Sequence, residues 1–469
     1  MSELRILMKF GGTSVGDEEC IARVVSIIDQ YRKEGNEIAV VVSAMSGVTD
    51  QLHAIAAEVE SSKDTPPIEA FITSIRAKHE SVLKAVAPDE AETVMVEIDK
   101  RLSNLRNILT AIHNLRELTP RSKDYIISFG ERLSAQILSA ALRQAGIKSQ
   151  PLNGCQAGIV TNERHGCAQV LPESEPKIKS RVIPLMHDGV PVVMGYMGCT
   201  GDGIVTTLGR SGSDYSAAIV GAGIDADEIW IWTDVDGIMT SDPRIINDAR
   251  VIPEISYLEA MELSYFGAEV LHPRTIEPAM QKGIPVRVKN TFNPSAKGSC
   301  VLAQAHRDSR VVKAITFIDK VSLVNLAGAQ MFGRPGVARA IFTSLAESGV
   351  NVMMISQGSS EANISLIVDD DHLNAAVTAM NKVQLGGYIR EVTFDKEVCV
   401  VAVVGVGMAG APGIAGRIFT ALGKAEVNVM MISQGSSEAN VSFVVAHEDG
   451  RKALRVLHDE FRLSEDLSE

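Results

Sequence analysis

Residues 350–368, VNVMMISQGSSEANISLIV, recur at 427–445 as VNVMMISQGSSEANVSFVV, with sixteen of nineteen positions identical at an offset of 77. The same offset brings Pro335, Ile341 and Phe342 onto Pro412, Ile418 and Phe419. Composition does not produce such coincidence. The last third of the chain therefore holds two copies of one supersecondary unit, each reading strand–helix–strand–strand–helix. The first copy continues into Tyr388–Phe394, a fourth strand, whereas the second runs out after a helix at about 451–461. Val311–Phe317 is a spare strand just ahead of the first copy. It is expected to complete the second unit's sheet, which places unit one (320–395) inside unit two (311–318 with 397–462).

A decoy lies within the repeat. Gly405-Val406-Gly407-Met408-Ala409-Gly410 follows a strand and matches the dinucleotide fingerprint G-x-G-x-x-G. Its counterpart at the same offset, Gly328-Ala329-Gln330-Met331-Phe332-Gly333, does not match, and no acidic residue ends the following strand. A nicotinamide cofactor is not expected.

Ahead of the repeat, at 1–305, the pattern is that of an α/β domain. An apolar run, Ile6-Leu7-Met8, leads into Lys9-Phe10-Gly11-Gly12-Thr13-Ser14, and a helical face follows at Ile21, Val24, Val25, Ile28 and Tyr31. A strand ending in two glycines exposes backbone N–H groups to a polyanion, and Lys9 adds a full positive charge. An ordinary strand-to-helix turn with a surface lysine is the alternative; a P-loop is not supported, since Lys-Ser/Thr does not follow the glycines. Ile38–Ser43 reads as a buried strand ending in Ser43-Ala44-Met45-Ser46-Gly47-Val48-Thr49, hydroxyls that suit a ligand mouth or helix caps. From about 66 to 118 the pattern is helical, charge-rich and broken near Pro88, a helical pair inserted at the surface and a candidate lid. Thr119-Pro120 opens a further helix, which carries Ser128-Phe129-Gly130-Glu131-Arg132-Leu133-Ser134. Glu131 there is either half of a solvated pair with Arg132 or the receiver of a small substrate's ammonium group.

Thr206-Thr207-Leu208-Gly209-Arg210-Ser211-Gly212-Ser213-Asp214 is a second glycine-rich segment. Capping explains Ser213-Asp214 taken alone. It does not explain an arginine among glycines, whose planar fork fits a carboxylate or phosphate. The strand Ala226–Thr233 ends in Asp234-Val235-Asp236-Gly237, carboxylates placed for a nucleotide's magnesium or ribose, or simply for a turn. An EF-hand is excluded because its later ligands are missing.

The bulk properties narrow the partners. A chain of 469 residues has room for about three domains. A net charge of −13 argues against nucleic acid or an anionic membrane surface as partner. The six cysteines form no Cys-x-x-Cys pair and no histidines have zinc-ligand spacing, so reduced thiols, a cytoplasmic setting and no protein-held metal are expected. There is no signal-peptide pattern and no apolar run long enough to span a bilayer.

Taken together, the five motifs Lys9–Ser14, Val42–Thr49, Ser128–Ser134, Thr206–Asp214 and Trp232–Gly237, followed by the tandem repeat, resemble the aspartate kinases of the amino-acid-kinase superfamily with paired ACT domains. The resemblance implies a mainly parallel open sheet sandwiched by helices, plus two ferredoxin-like ACT units. It implies ATP- and Mg²⁺-dependent phosphorylation of the L-aspartate side chain to 4-phospho-L-aspartate, first step of the lysine, threonine and methionine pathway. By similarity Lys9, Gly11 and Gly12 hold phosphates, and Asp214 organises Lys9. Arg210 clamps the substrate α-carboxylate and Glu131 takes its ammonium, while Ser43, Thr49 and Ser213 position it. Thr233, Asp234, Met239, Arg244 and Glu269 line the nucleotide pocket.

Three positions depart from the family pattern. Glu269 stands where a lysine is usual, so Arg274 or Lys289 must compensate; Met239 replaces a frequent tyrosine; Ser211 replaces a glycine. Feedback inhibition through the ACT units is implied, with Gln357, Asn363, Gln434 and Asn440 as effector residues. Asn351 and Gln357 are uncharged where lysine-sensitive relatives often carry carboxylates, which favours threonine over lysine, because a buried ammonium without a counter-charge costs several kcal/mol, roughly. A homodimer or larger assembly through the ACT units is expected, with no fused homoserine dehydrogenase. A kinase for glutamate or N-acetylglutamate, and a non-catalytic amino-acid sensor, are the rival readings.

Overall fold

The computed structural model describes residues 4–64, 66–267, 271, 273–305, 310–358 and 362–465. They form two compact units, residues 1–238 with 253–257 and 270–305, and residues 239–252 with 258–269 and 306–469.

The first unit is an α/β layer structure. Its strands are β1 (Arg5–Phe10), β2 (Glu37–Val42), β3 (Ser149–Leu152), β4 (Val190–Met194), β5 (Met197–Cys199), β6 (Val205–Thr207), β7 (Glu228–Thr233), β8 (Glu254–Ser256), β9 (Val286–Asn290) and β10 (Ser299–Leu302). Eight of them make one sheet in the order β3-β4-β2-β1-β7-β9-β10-β8, while β5 and β6 form a separate hairpin. All neighbours in the large sheet are parallel except β9 and β10. Five of the six residues of β1, and likewise of β2, are buried, as a strand covered on both faces requires. β1 is flanked by β2 on one side and β7 on the other, so strand order switches there and a crevice opens at the strands' carboxyl ends.

Two long helices, Ile68–Val86 and Ala91–Leu115, form the helical pair. Ile98, Leu102, Leu105, Leu109 and Ile112 are buried at alternating spacings of four and three, a continuous apolar seam. Arg76 ties the pair together through both oxygens of Asp99, at 2.8 and 3.1 Å. His79 is fully buried in this seam, with Nδ1 2.7 Å from the Ile75 carbonyl oxygen and Nε2 unpartnered. Burial pushes its pKa down from 6.5 to about 4. The unfolded chain therefore binds the proton first, and stability is lost as pH falls from 6.5 toward 4. His79→Leu should remove roughly 3 kcal/mol of that acid sensitivity. Urea titrations of both proteins at pH 7 and pH 4.5 measure it; parallel pH dependences would contradict the assignment.

Cys155 and Cys199 are disulfide-bonded, with Cα atoms 5.4 Å apart, which corrects the expectation that all thiols are free. The fold lays the short helix Gly154–Ala157 against β5, a proximity that a sequence separation of 44 does not reveal. Cys20, Cys167, Cys300 and Cys399 are free.

The second unit is built on one six-stranded antiparallel sheet, in the order β12-β13-β11-β14-β16-β15. Its strands are β11 (Ala314–Ala327), β12 (Met354–Gln357), β13 (Asn363–Asp369), β14 (Glu391–Val404), β15 (Met431–Gln434) and β16 (Asn440–Ala446). The start of β11, Ala314–Ile318, pairs with Val400–Val404 of β14, which in turn pairs with β16. The rest of β11 pairs with β13, so the two repeat copies share two central strands. Each copy has its own apolar core, one around Val324, Ile341 and Leu366, the other around Val401, Ile418 and Phe443. Ile245 and Ile246 join the second of these, so the segment 239–252 is anchored in the C-terminal unit and a boundary at 305 does not separate the two.

Candidate active site

The carboxyl end of β1 is where the first unit concentrates its polar chemistry. Lys9 is only 8% exposed, and its Nζ lies 2.5 Å from Asp214 Oδ1. Helix Gly212–Gly223 starts before Asp214, so this carboxylate sits in the first turn and faces Lys9 instead of capping. The residue preceding that helix, Ser211, holds φ at 53°. That is a left-handed conformation which glycine adopts without strain, so serine at this position stores some.

Of the two glycines after β1, only Gly12 makes a tight approach. The Gly11 amide donates to the Trp232 carbonyl oxygen at 3.3 Å, coupling β1 to the end of β7. A Cβ on Gly11 would stand 3.5 Å from Lys9 Nζ, and one on Gly12 only 3.1 Å from the Ala44 carbonyl oxygen. Gly130 plays the same part on the opposite wall, because a Cβ there would meet that of Ala44 at 2.5 Å. Helix Phe129–Gln144 can therefore seat against the segment after β2, where Ser134 Oγ donates to the Ser43 carbonyl oxygen at 2.7 Å.

Glu131, on the first turn of that helix, is 3% exposed. The Ala44 amide donates to its Oε1 at 3.2 Å, and Oε2 is buried with no partner. Burial raises its pKa to about 8, against the opposing pull of that hydrogen bond. Arg132 does not pair with it; its guanidinium lies over the rings of Tyr125 and Phe129. A buried carboxylate with one free oxygen is a receptor for a cation.

Ser43 and Thr49 flank the same wall, and helix Val48–Ser61 is capped by Gly47 without a side-chain hydrogen bond, so neither hydroxyl caps it. Ser213 packs beneath Gly195, whose Cβ would clash with Ser213 Oγ at 2.8 Å. Arg210 is exposed and makes no ion pair among the described residues. Thr233 Oγ1 donates to Asp234 Oδ1 at 3.1 Å at the end of β7, and Asp234 is exposed. Asp236 is held by the amides of Asn290 and Asn293, at 2.8 and 3.2 Å, and serves the turn. Lys289 is buried over the rings of Trp230 and Trp232. Burial, then the charge of Arg287, holds its pKa below the ordinary value.

Met239 and Arg244 belong to the second unit, where Asp242 grips Arg244 with both oxygens. Glu269 and the Arg274 side chain lie outside the described residues. Gln357 and Gln434 are exposed at the ends of the edge strands β12 and β15. Asn440 donates to Glu262 at 2.9 Å and accepts from Ser442 at 2.7 Å. Asn363 is exposed at the start of β13, with its carbonyl oxygen accepting from Gly358 N.

Two groups escape sequence reading. Tyr196 packs its ring under Gly212, and burial raises its pKa against the opposing pull of a hydrogen bond with Thr207, with Glu131 and Asp124 adding to the rise. Asp124 is 1% exposed and accepts from Thr207 N, Thr207 Oγ1 and Gly166 N, with His165 Nδ1 2.7 Å away. It fixes β6 just ahead of Arg210. Only Thr206-Thr207, singled out without a role, hinted at it.

A model of the amino acid kinase family matches residues 4–290, and an ACT domain model matches 324–384 and 401–461. The bifunctional aspartokinase/homoserine dehydrogenase 1 of Zea mays is 37% identical over 468 residues, covering 97% of this chain and 50% of that protein. This chain thus spans about half the length of the first of the curated relatives it matches. Aspartokinase 2 of Arabidopsis thaliana is 32% identical over 476 residues, covering 98% of this chain and 84% of the relative. The crystal structure of E. coli aspartokinase III with aspartate and ADP superposes with a TM-score of 0.80 at 28% identity, covering 97% of this chain and 99% of that one. The same enzyme with lysine and aspartate gives 0.81 at 29% identity, covering 98% and 100%. The matched ranges, the parallel sheet with its crevice at β1 and the tandem ACT units agree: the chain belongs to the amino acid kinase family and, within it, to the aspartokinases.

Proposed function

We propose that this chain transfers the γ-phosphoryl group of ATP to the side-chain carboxylate of L-aspartate, giving 4-phospho-L-aspartate and ADP. The observation that carries this is the largely buried Lys9–Asp214 pair at the end of β1, just ahead of Gly11 and Gly12, together with the buried Glu131, one of whose carboxyl oxygens has no partner. The acceptor carboxylate has a reference pKa of ~3.9 and is ionised at neutral pH, so no general base is needed. A carboxylate oxygen attacks the γ-phosphorus while the bond to the ADP oxygen breaks. The obstacle is repulsion between two anions, and the remedy is fixed positive charge. Lys9 and the Gly12 amide face the phosphates, Gly11 leaves them room, Asp214 aims Lys9, and Thr233 and Asp234 meet the nucleotide. Arg210 takes the α-carboxylate, Glu131 the ammonium, and Ser43, Thr49 and Ser213 fix the acceptor's orientation. Nucleotide roles for Met239, Arg244 and Glu269 rest on the resemblance alone.

Magnesium fits as a companion of the nucleotide. Among the described residues no cluster of three or more His, Cys, Asp or Glu side chains is arranged to hold a metal, whereas the exposed Asp234 beside the Thr233 hydroxyl suits an ion that keeps waters and phosphate oxygens. When bound it would neutralise phosphate charge.

Coupled measurement of ADP release tests the assignment. Aspartate should support turnover, with glutamate and N-acetylglutamate at least a hundredfold poorer in kcat/KM. A preference for either of those would establish another amino-acid kinase, and no acceptor-dependent ADP from any of them would establish a sensor.

We further infer that the ACT units bind threonine, and that a dimer or larger assembly forms through them. Gln357 and Gln434 offer neutral amides, which suit a hydroxyl group and supply no counter-charge to an ammonium. Threonine should inhibit the initial rate at concentrations at least tenfold below those at which lysine does. A lysine-only response would overturn the choice.

A further inference from the structure

The first unit carries a second concentration of positive charge, made from residues that the phosphoryl-transfer reading does not use. Between helices Ala91–Leu115 and Phe129–Gln144 lies a cavity of about 570 Å³, lined among others by Glu97, Lys100, Arg101, Asn104, Asn107 and Arg132. Three cationic side chains face the single carboxylate of Glu97, in a chain whose net charge is −13.

These cations are built in. The Arg132 guanidinium lies 4.6 Å from the centre of the Tyr125 ring and 5.3 Å from that of Phe129, which fixes its plane. Asn104 holds that platform by donating to the Tyr125 hydroxyl at 2.9 Å. Nε of Arg101 and Nε of Arg132 are both shielded from water without a hydrogen-bond partner. Neither guanidinium forms an ion pair among the described residues, although Arg76 on the neighbouring helix and Arg143 on the same helix as Arg132 each grip a carboxylate. Burial first, and then the charge of Arg132, holds the Arg101 pKa below its ordinary value. Two like charges, each with its Nε shielded and unpartnered, facing one space are an incomplete arrangement. Planar forks of this kind are completed by an oxyanion, to which each can donate two parallel hydrogen bonds.

We propose that this cavity is a binding site for a small polyanion carrying phosphate or carboxylate groups, gripped between Arg101 and Arg132 with Lys100 alongside. Its volume lies within the usual range for small-molecule sites, which favours an organic polyanion over a single inorganic ion. The proposal is independent of the kinase reading, since it uses neither Lys9 nor Glu131.

Isothermal titration of the full chain tests it, with inorganic pyrophosphate and citrate as separate probes that distinguish phosphate from carboxylate recognition. At least one probe should bind the wild-type chain. Arg101→Gln and Arg132→Gln should each weaken that binding tenfold or more, while Lys9→Ala, which disables the other phosphate-facing charge, should leave it within twofold. Arg101→Lys, which keeps the charge and loses the fork, should fall between wild type and Arg101→Gln; it serves as the test if the glutamine variants do not retain the wild-type circular-dichroism spectrum. The proposal is overturned if neither probe binds, if folded arginine variants bind like wild type, or if the affinity follows Lys9.

Discussion

Lys9→Ala is expected to lower kcat about a thousandfold, with a much smaller change in KM for aspartate, because the lost ammonium acts where charge builds up on the transferring phosphoryl group. Among the described residues the ammonium's one ion-pair partner is Asp214, at 2.5 Å, and without the lysine that carboxylate faces the phosphates unneutralised. The variant therefore removes attraction and leaves repulsion in the same place. It should also be destabilised by about 3 kcal/mol, since one member of a largely buried pair is left alone. Asp214→Asn in the same chain should recover part of the stability and little of the activity. Lys9→Arg should not rescue kcat either: the position is only 8% exposed, and a planar, wider guanidinium does not reproduce the compact ammonium that the pair with Asp214 holds in place. Steady-state rates on variants with wild-type circular dichroism decide the matter. A folded Lys9→Ala within tenfold of wild type would remove the lysine from the chemistry.

How far the sequence discloses this site depends on the kind of contact. That Lys9, Gly11, Gly12, Ser43 and Thr233 gather in one place is legible because each lies at or just past the end of a strand of one parallel sheet, and such ends must converge. Asp214 was half legible: a serine–aspartate pair near a helix start reads as a cap until the fold shows the helix beginning at Gly212 and the carboxylate turned to Lys9. The Asp124–Thr207 contact spans 83 residues and joins two ordinary polar side chains, so no local pattern marks it. The disulfide was missed for the same reason. In the repeat, Asp319-Lys320 and Asp395-Lys396-Glu397 interrupt the apolar pattern and read as breaks between strands. The chain instead runs straight through both, as β11 and β14, and a shift in register between Ile318 and Val321 absorbs the polar residues.

Glu131→Gln should change activity and stability in opposite directions, which separates a substrate receptor from a structural carboxylate. In the folded chain Glu131 keeps its proton up to about pH 8, whereas in the unfolded chain it releases it near 4.5. The native state thus binds more protons across that window, so stability falls as pH rises from 4.5 to 8 and levels off above it. Integrated over the window the loss is roughly 4 to 5 kcal/mol. Glutamine keeps the shape and never ionises. The variant should match wild type near pH 4.5 and melt several degrees higher at pH 8.5. Function should move the other way, because an uncharged amide cannot balance an ammonium group in a buried pocket, and kcat/KM for aspartate should drop by about 10² to 10³. In the wild type, aspartate must bind the ionised form, so below pH 8 its binding releases close to one proton and kcat/KM rises nearly tenfold per pH unit; in Glu131→Gln that slope should vanish. Calorimetry in buffers of different ionisation enthalpy counts the proton directly. A variant that loses stability at pH 8.5, or that keeps the slope, would show that this carboxylate supports the helix and does not receive the substrate.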